Sequence, residues 1–410
     1  MRRASLLSAS LLMLSLTAQG QQMKDFNYKL YGIIRNDFFF NSRECVESAD
    51  GVFLMYPKNH DYDPLGHDMN AHSKSTLYNL HTRLGVDLTG PEFWGAKTSA
   101  KIEFDFRGTG SSLGVVRLRH AYVAMDWGHN AWLLGQTWHP LYGTVSAELM
   151  NLNMGAPYQP FSRAPMLQYT YKPGHLLLRT ALVWQSQYLS VGPNGKSREY
   201  IYHSNTPEIF VGLDYQNSHW TAGGGIHFSS ICPRLKSSVK GTDGVTRNYK
   251  VSERVSGLTG EVHFKYKDKK WMVAGKSVLN SALTQCSTVG GYGVTNINSI
   301  TGEQEYAPLR VSHSWLNAMY GTKWRGGIFL GYLKNLGASK EVTDLVGTGT
   351  NIDQLATASM ELTYNIPHWK IGAEYNLTTA WYGTNDIKGK VINASDVQNH
   401  RFVISALYSF

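Results

Sequence analysis

Hydrophobic and polar residues alternate one by one along many short segments of this chain. The last segment shows the pattern most clearly, because alternate positions carry mostly large apolar side chains: Phe402, Ile404, Ala406, Tyr408 and Phe410. The positions between them include Arg401, Ser405 and Ser409. Side chains of a β-strand point alternately to its two faces, so a period of two predicts a strand with one apolar and one more polar face.

Sixteen such segments follow one another, and we predict a strand for each. They are residues 26–40, 76–89, 97–107, 115–127, 131–138, 166–172, 175–185, 208–215, 220–229, 255–266, 271–280, 312–323, 327–335, 354–365, 369–380 and 399–410. No stretch of about 18 apolar residues follows residue 20, which excludes helical membrane spans. The even number of strands agrees with a bacterial barrel whose two ends lie on the same side of the membrane.

The connections between these segments fall into two alternating classes. The short class includes 128–130, 173–174, 216–219 and 366–368, whereas the long class includes 41–75, 140–165, 186–207, 230–254 and 281–311. Only 108–114 is brief among the long class. Short turns at one end and long loops at the other are typical of an outer-membrane barrel. The sequence therefore predicts an all-β fold, a 16-stranded antiparallel transmembrane β-barrel with short periplasmic turns and long extracellular loops.

The composition agrees with this fold class. Of the 410 residues, 17% are charged and 12% are aromatic, whereas a globular domain carries about 25% charged residues. We expect Trp94, Trp127, Trp271, Trp324, Trp369 and Trp381, which lie near predicted strand ends, to form interfacial girdles, with core packing as the alternative.

The first residues have the layout of a secretory signal peptide. Arg2 and Arg3 precede an apolar stretch at 6–16 and small residues before position 21. We therefore predict a signal peptide at 1–20 and a single barrel domain at 21–410. Without the two arginines, 37 basic residues face 30 acidic ones. In an exported chain this surplus suggests a surface or channel that favours anions, and we expect no nucleic-acid partner.

Three cysteines, Cys45, Cys232 and Cys286, all lie in predicted loops. They are too few for a disulfide framework, but an oxidising compartment permits a bond between Cys232 and Cys286, and we expect one.

Several short motifs in the first half resemble those of Gram-negative trimeric porins, and they are most similar to those of dicarboxylate-channel porins of the DcaP type. They are Leu80-His81-Thr82-Arg83-Leu84-Gly85, Lys101-Ile102-Glu103-Phe104-Asp105-Phe106, Leu118-Arg119-His120-Ala121-Tyr122-Val123 and Gly135-Gln136-Thr137-Trp138. They lie within a stretch of about sixty residues, and in the second half only the strand layout agrees.

The resemblance implies a homotrimer in the outer membrane, in contact with lipid and lipopolysaccharide, that passes small hydrophilic solutes such as dicarboxylates. It also implies that the terminal Phe410 is recognised by the barrel-assembly machinery. The third long loop, residues 140–165, would fold into the lumen as a constriction. The loop's apolar residues, among them Leu141, Tyr142, Leu152 and Met154, require packing, although a neighbouring subunit could also provide it.

The inward faces of the early strands carry most of the candidate site residues: Arg35, Arg83, Lys101, Arg117 and Arg119. Glu148 is the only carboxylate of residues 140–165. A lumen with an excess of fixed positive charge favours anions, so we expect a pore constriction with anion preference. The alternative is that these cations serve only to pair with Asp87, Glu103 and Asp105.

Two other classes of function remain as alternatives. An outer-membrane hydrolase would need a nucleophile or metal motif, and neither Gly-x-Ser-x-Gly nor His-Glu-x-x-His is present. A structural or adhesin barrel remains open if the loops plug the lumen. The loop with His60, His67 and His72 could hold a surface metal, but solvated polar residues are more common in such loops, and we expect no metal, no cofactor and no enzyme activity.

Overall fold

The alternating segments form one closed antiparallel sheet in the computed structural model, which describes residues 25–48, 53–108, 112, 114–151 and 155–410. The predicted signal peptide lies outside these residues. The sheet has sixteen strands: β1 Asn27–Asn41, β2 in two segments Lys74–Tyr78 and Arg83–Thr89, β3 Lys97–Asp105, β4 Arg117–Asp126, β5 Asn130–Trp138, β6 Arg163–Tyr171, β7 Leu176–Val183, β8 Glu208–Gln216, β9 Trp220–Ile231, β10 Val255–Lys267, β11 Trp271–Ser281, β12 Arg310–Gly321, β13 Trp324–Gly337, β14 Ile352–Ile366, β15 Trp369–Asn385 and β16 Val391–Ser409.

Strand β1 closes the barrel. It pairs with β16 from Ile33 opposite Ser409 to Asn41 opposite Arg401, and with both segments of β2 on its other side. The 16-stranded antiparallel barrel predicted from the alternation is therefore confirmed. None of the described helices is long and apolar enough to cross a membrane.

The side chains of each strand divide between an apolar exterior and a more polar interior. In β8, Ile209, Val211 and Leu213 are exposed on the outer surface, whereas Glu208 and Asp214 are buried inside. This distribution is the reverse of a water-soluble protein and is that of a barrel surrounded by lipid. Tryptophans such as Trp127, Trp271, Trp324 and Trp369 are exposed beside the short turns, where an interfacial girdle is expected.

The long loops carry small elements of their own. They contain the hairpins Cys45–Ser48 with Phe53–Pro57, Val191–Gly192 with Gly195–Lys196, and Lys236–Lys240 with Thr246–Lys250, the helix Glu199–Ser204, the 3-10 turn Thr284–Cys286, and a three-stranded sheet of Gly290–Ile297, Gln304–Pro308 and Thr343–Thr348. That sheet joins the sixth and seventh long loops.

Several strands start or end a few residues from their predicted boundaries, and three differences from the predicted layout affect the loops or the lumen. Strand β16 begins at Val391 rather than at residue 399, because the polar segment before it pairs with the extended end of β15 above the membrane region. The eighth long connection is therefore a short turn. Strand β6 begins at Arg163, so the third long loop, called loop 3 below, comprises residues 139–162.

The third difference is a break in β2 between Tyr78 and Arg83. The Thr82 amide donates to the Asn79 carbonyl at 3.1 Å, and Leu80 accepts a hydrogen bond from the Phe106 amide at 3.2 Å. At the break, Leu80 packs against the buried Phe39. Because a break changes the side-chain alternation locally, it alters which residues reach the lumen.

Candidate functional site

The predicted basic residues of β1 to β4 lie together on one side of the lumen. Strand register places Arg83 opposite Asp105 and Asp105 opposite Arg117, so three neighbouring strands contribute charges at one height. Arg163, at the start of β6, extends this surface. We call this surface the basic wall, and it comprises Arg35, Arg83, Lys101, Arg117, Arg119 and Arg163.

Most cations of the basic wall have a carboxylate partner. Arg117 donates from Nε to Asp105 Oδ1 at 3.0 Å, and Arg119 Nη1 donates to Asp105 Oδ2 at the same distance. Arg119 also pairs with Glu103. For these arginines the alternative of buried charge pairing describes the observed contacts.

Lys101 and Arg35 pair with other carboxylates than Arg117 and Arg119 do. Lys101 Nζ lies 2.8 Å from Asp87 Oδ1 in a more accessible part of the lumen. Arg35 Nε donates to Asp37, and its Nη2 donates to the carbonyl of Met150 in loop 3. Arg35 therefore connects the basic wall to the loop.

Arg83 and Arg163 differ from the other arginines, because neither forms an ion pair within the described part of the chain. Arg83 Nη2 lies 2.7 Å from His81 Nε2, and its Nε has no hydrogen-bond partner among the described residues. Arg163 is fully buried, donates to the Tyr188 hydroxyl at 3.1 Å, and lies over the Trp138 ring at 4.8 Å. Both guanidinium groups therefore contribute positive charge that no described carboxylate neutralises at ion-pair distance.

Loop 3 lies inside the barrel against the side opposite the basic wall. Lys276 of β11 donates to the carbonyls of Leu141 and Tyr142 at 2.8 and 3.1 Å. The Met150 amide donates to Glu361 at 2.6 Å, and the Asn151 amide donates to Glu374 at 2.8 Å. Polar side chains of β11, β14 and β15 therefore satisfy the loop's backbone groups, as burial requires.

Apolar contacts fix the same loop. Tyr142, Tyr158 and Phe161 belong to one buried cluster with Trp315 and Phe329 of the barrel interior. The Trp315 indole also donates to Gln159 at 2.8 Å. The apolar residues of the loop thus pack inside their own barrel. Leu152 and Met154 lie outside the described residues.

Glu148 does not face the basic wall across an open lumen. Its two carboxylate oxygens accept from Lys265 at 2.8 Å and from Arg325 at 2.9 Å, on β10 and β13. Burial alone would raise the pKa of Glu148, but the hydrogen bonds and charges of Lys265 and Arg325 outweigh burial and lower the pKa to about 2. The five basic candidate residues therefore lie on one side of the lumen, and Glu148 is separated from them.

The sequence analysis missed the residues that hold loop 3. Lys265 and Lys276 occupy inward positions of predicted strands, so the alternation could have identified them, whereas Arg325 lies before the predicted start of its strand at residue 327. No sequence pattern indicated that the first long loop also packs inside the barrel. Its segment Phe53–Pro57 is buried, Phe53 packs against Phe161 with ring centroids 5.0 Å apart, and Pro57 accepts from the Tyr382 hydroxyl at 2.7 Å.

Three buried residues, His139, Glu208 and His227, have the spacing of metal ligands. His139 and His227 contact the same oxygen of Glu208 through Nε2 at 3.0 and 2.9 Å. The Leu141 amide donates to Nδ1 of His139, so its Nε2 carries the proton and donates to Glu208. Glu208 also accepts from Gln185 and Gln285. The arrangement fits a hydrogen-bonded carboxylate, because a metal would need the Nε2 lone pair.

One loop prediction, the disulfide, fails in the structure. Cys45, Cys232 and Cys286 are free thiols, so the expected bond between Cys232 and Cys286 is wrong. Cys286 packs in an apolar cluster, whereas the Cys232 backbone is held by the carbonyl of Tyr200. In the first loop, His60 pairs with Asp68 and His67 pairs with Asp63, so these two histidines have different partners.

No protein-family model and no curated protein sequence matches the chain. Its structure is similar to the outer membrane channel DcaP of Acinetobacter baumannii, with a TM-score of 0.67 and 18% identity over 95% of this chain and 99% of that one. OmpT of Vibrio cholerae is similar with a TM-score of 0.54 and 12% identity, over 94% of this chain and 98% of that one. OmpF of Salmonella typhi is similar with a TM-score of 0.54 and 11% identity, over 93% of this chain and 97% of that one. At these identities the likeness is one of fold, and the fold is that of an outer-membrane porin barrel, as the sequence motifs implied.

Proposed function

We propose that the protein is a passive diffusion channel for small hydrophilic solutes, with a preference for anions such as dicarboxylates. The observation that carries this proposal is the pair Arg83 and Arg163, whose charges have no carboxylate partner among the described residues. Fixed positive charge in a narrow, poorly hydrated passage lowers the barrier for anions and raises it for cations.

The six candidate residues have different roles in this proposal. Arg83, with Arg35, Arg117 and Arg119 beside it, sets the positive potential of the constriction. Lys101 lies in a more accessible region, where it would attract anions toward the narrow part. Glu148 is neutralised by Lys265 and Arg325, and it would therefore hold the constricting loop rather than repel anions.

A plugged barrel with a structural or adhesive role is the second candidate function. It is favoured by the inward position of two loops, since residues of loop 3 and of Phe53–Pro57 share one buried cluster with the barrel interior. We propose the channel as the main function because the basic wall would have no role in a plug. No catalytic role is proposed.

Single-channel recording in planar bilayers distinguishes the two candidates. A channel gives uniform current steps in KCl, and succinate added to one side should reduce them more than an uncharged sugar of similar size. Phosphate is a second anionic competitor. A barrel that inserts but gives no current steps would contradict the channel and support the plug.

We further propose a homotrimer, exported with its first 20 residues as signal peptide, surrounded by outer-membrane lipid and lipopolysaccharide. The similar OmpT of Vibrio cholerae has a structure described as a trimer form, with a TM-score of 0.56 and 12% identity over 94% of this chain and all of that one. Phe410 pairs with Gly32 through two backbone hydrogen bonds at the barrel end, where the assembly machinery could recognise it. Light-scattering mass in detergent tests the trimer, and a monomeric mass would contradict it.

A further inference from the structure

The break in β2 places a histidine directly beside the most distinctive arginine of the lumen. His81 lies between the two segments of β2, and Arg83 begins the second segment. Both side chains reach the interior because the backbone turns at Asn79–Thr82. The break is fixed from the neighbouring strand, since the Arg35 amide donates to Thr82 Oγ1 at 3.2 Å. Strand irregularities of this kind often redirect a side chain at a functional site.

The contact between His81 and Arg83 has a defined direction. A guanidinium group only donates hydrogen bonds, so Arg83 Nη2 donates to His81 Nε2 across 2.7 Å. Nε2 is then unprotonated and the proton lies on Nδ1, which makes the imidazole neutral. His81 Nδ1 has no hydrogen-bond partner among the described residues, and its distance to Asp105 Oδ2 is 3.8 Å.

A neutral acceptor has a different effect on an arginine from that of a carboxylate. Asp105 both orients Arg117 and cancels its charge. His81 orients Arg83 without cancelling its charge, and Arg83 Nε, which is buried, has no hydrogen-bond partner among the described residues. The bidentate edge of a guanidinium group suits carboxylate and phosphate oxygens.

We propose that neutral His81 is a positioning residue that holds Arg83 ready to bind anions passing the constriction. This inference rests on the anion channel proposed above. The charged groups facing His81 are Arg83 on its own strand, Arg35 on β1, Asp105 on β3, Arg107 after β3 and Arg119 on β4. Burial among these four arginines favours the neutral imidazole that the contact with Arg83 requires.

Reversal potentials in a tenfold KCl gradient, recorded for variants of the full-length protein, test the proposal. H81Q keeps an acceptor near the position of Nε2 but does not titrate, whereas H81F removes the acceptor. At pH 8 we expect H81F to lower the permeability ratio of chloride to potassium by about threefold and H81Q to leave it unchanged. H120Q is the matched control, because His120 is an inward histidine of β4 whose Nδ1 bonds Thr137 rather than an arginine.

The second readout is the change in this ratio between pH 8 and pH 5. We expect wild type and H81Q to shift by the same amount, because the arginines around the buried His81 keep its imidazole neutral over this range. The carboxylates of Asp87 and Glu148 are common to both proteins, so the difference between them isolates His81. Only folded channels conduct, and H81A replaces H81F if that variant does not insert.

The outcomes separate this inference from the proposed function. If wild type shows no preference for chloride, the proposed anion channel fails whatever the variants do. If wild type prefers chloride but H81F matches it, or H81Q falls as far as H81F, the positioning role is overturned while the channel remains. A larger pH shift in wild type than in H81Q would also overturn it, because His81 would then not be a neutral acceptor throughout this range.

Discussion

The two inner walls of this barrel use the same types of side chain for different purposes. On the basic wall, Arg83 and Arg163 present positive charge that no described carboxylate neutralises. On the opposite wall, Lys265, Lys276 and Arg325 are directed to loop 3, where they bind Glu148 and two backbone carbonyls.

The difference shows that a count of inward-facing cations does not determine the field inside a barrel. The partner of each cation decides whether its charge acts on a passing solute or holds the protein together. A cation paired with a carboxylate contributes a local dipole, whereas one held by a carbonyl, a hydroxyl or a neutral imidazole retains its net charge. The following variants test this division between the two walls.

The largest effect is expected from Trp315→Ala on the wall that carries loop 3. Trp315 is buried, contacts Phe329 and donates to Gln159 of the loop. Removing a buried tryptophan side chain costs about 3–5 kcal/mol of stability. We expect a lower thermal midpoint by circular dichroism and larger, noisier current steps.

Trp271→Ala is the matched control, because Trp271 is about half exposed at the barrel rim. We expect it to change the thermal midpoint much less and the current steps not at all. Equal losses in the two variants would show that Trp315 does not hold the loop.

An intermediate effect is expected within the basic wall, from comparing Arg117→Gln with Arg83→Gln. Arg117→Gln leaves Asp105 with one arginine fewer, which costs about 2 kcal/mol because a buried charged hydrogen bond is lost. Arg83→Gln leaves no carboxylate unpaired, so its thermal midpoint should stay near that of wild type while its preference for chloride falls. The division between paired and unpaired arginines would be wrong if the two variants lost stability equally.

The smallest change in stability is expected from Glu148→Gln. Glu148, Lys265 and Arg325 are partly exposed to the lumen, and such ion pairs contribute about 1 kcal/mol or less. The variant frees two cations, so the permeability ratio of chloride to potassium should rise. The low pKa of Glu148 keeps its carboxylate charged at pH 5, so acidification of wild type to that pH should not reproduce the change.

Glu305→Gln is the control for Glu148→Gln, because it removes an exposed carboxylate from an extracellular strand without a described ion pair. An unchanged permeability ratio in Glu148→Gln, or an equal rise in the control, would contradict the role given to Lys265 and Arg325.

The sequence alone was sufficient to predict the barrel, because strand alternation and turn length are local properties. Chain segments such as Trp369–Asn385 show the period of two over many residues, and short turns set the register of their neighbours. The break in β2 was not predicted, because Leu80 and Leu84 fit the alternation of the predicted strand and nothing between them indicates a turn. The polar residues at the start of β16, which pair with the end of β15, show no alternation of apolar and polar side chains either.

The candidate site could be predicted only in part. Inward positions identified Arg35, Arg83, Arg117 and Arg119, but not which carboxylate each would meet. The carboxylates that pair with Arg35, Arg117 and Arg119 lie on the same or the neighbouring strand. The partners of Glu148 depend on how loop 3 packs, and the contact between Glu148 and Lys265 joins residues more than a hundred positions apart. The free thiols of Cys232 and Cys286 follow from the same loop packing.

The most direct test of the central claim is the reversal potential of the wild-type channel in a tenfold KCl gradient at neutral pH. The uncompensated charge of Arg83 and Arg163 should make chloride more permeant than potassium, so the potential should lie toward the equilibrium potential of chloride. A potential clearly toward that of potassium would contradict the account, because the basic wall would then not set the field of the pore.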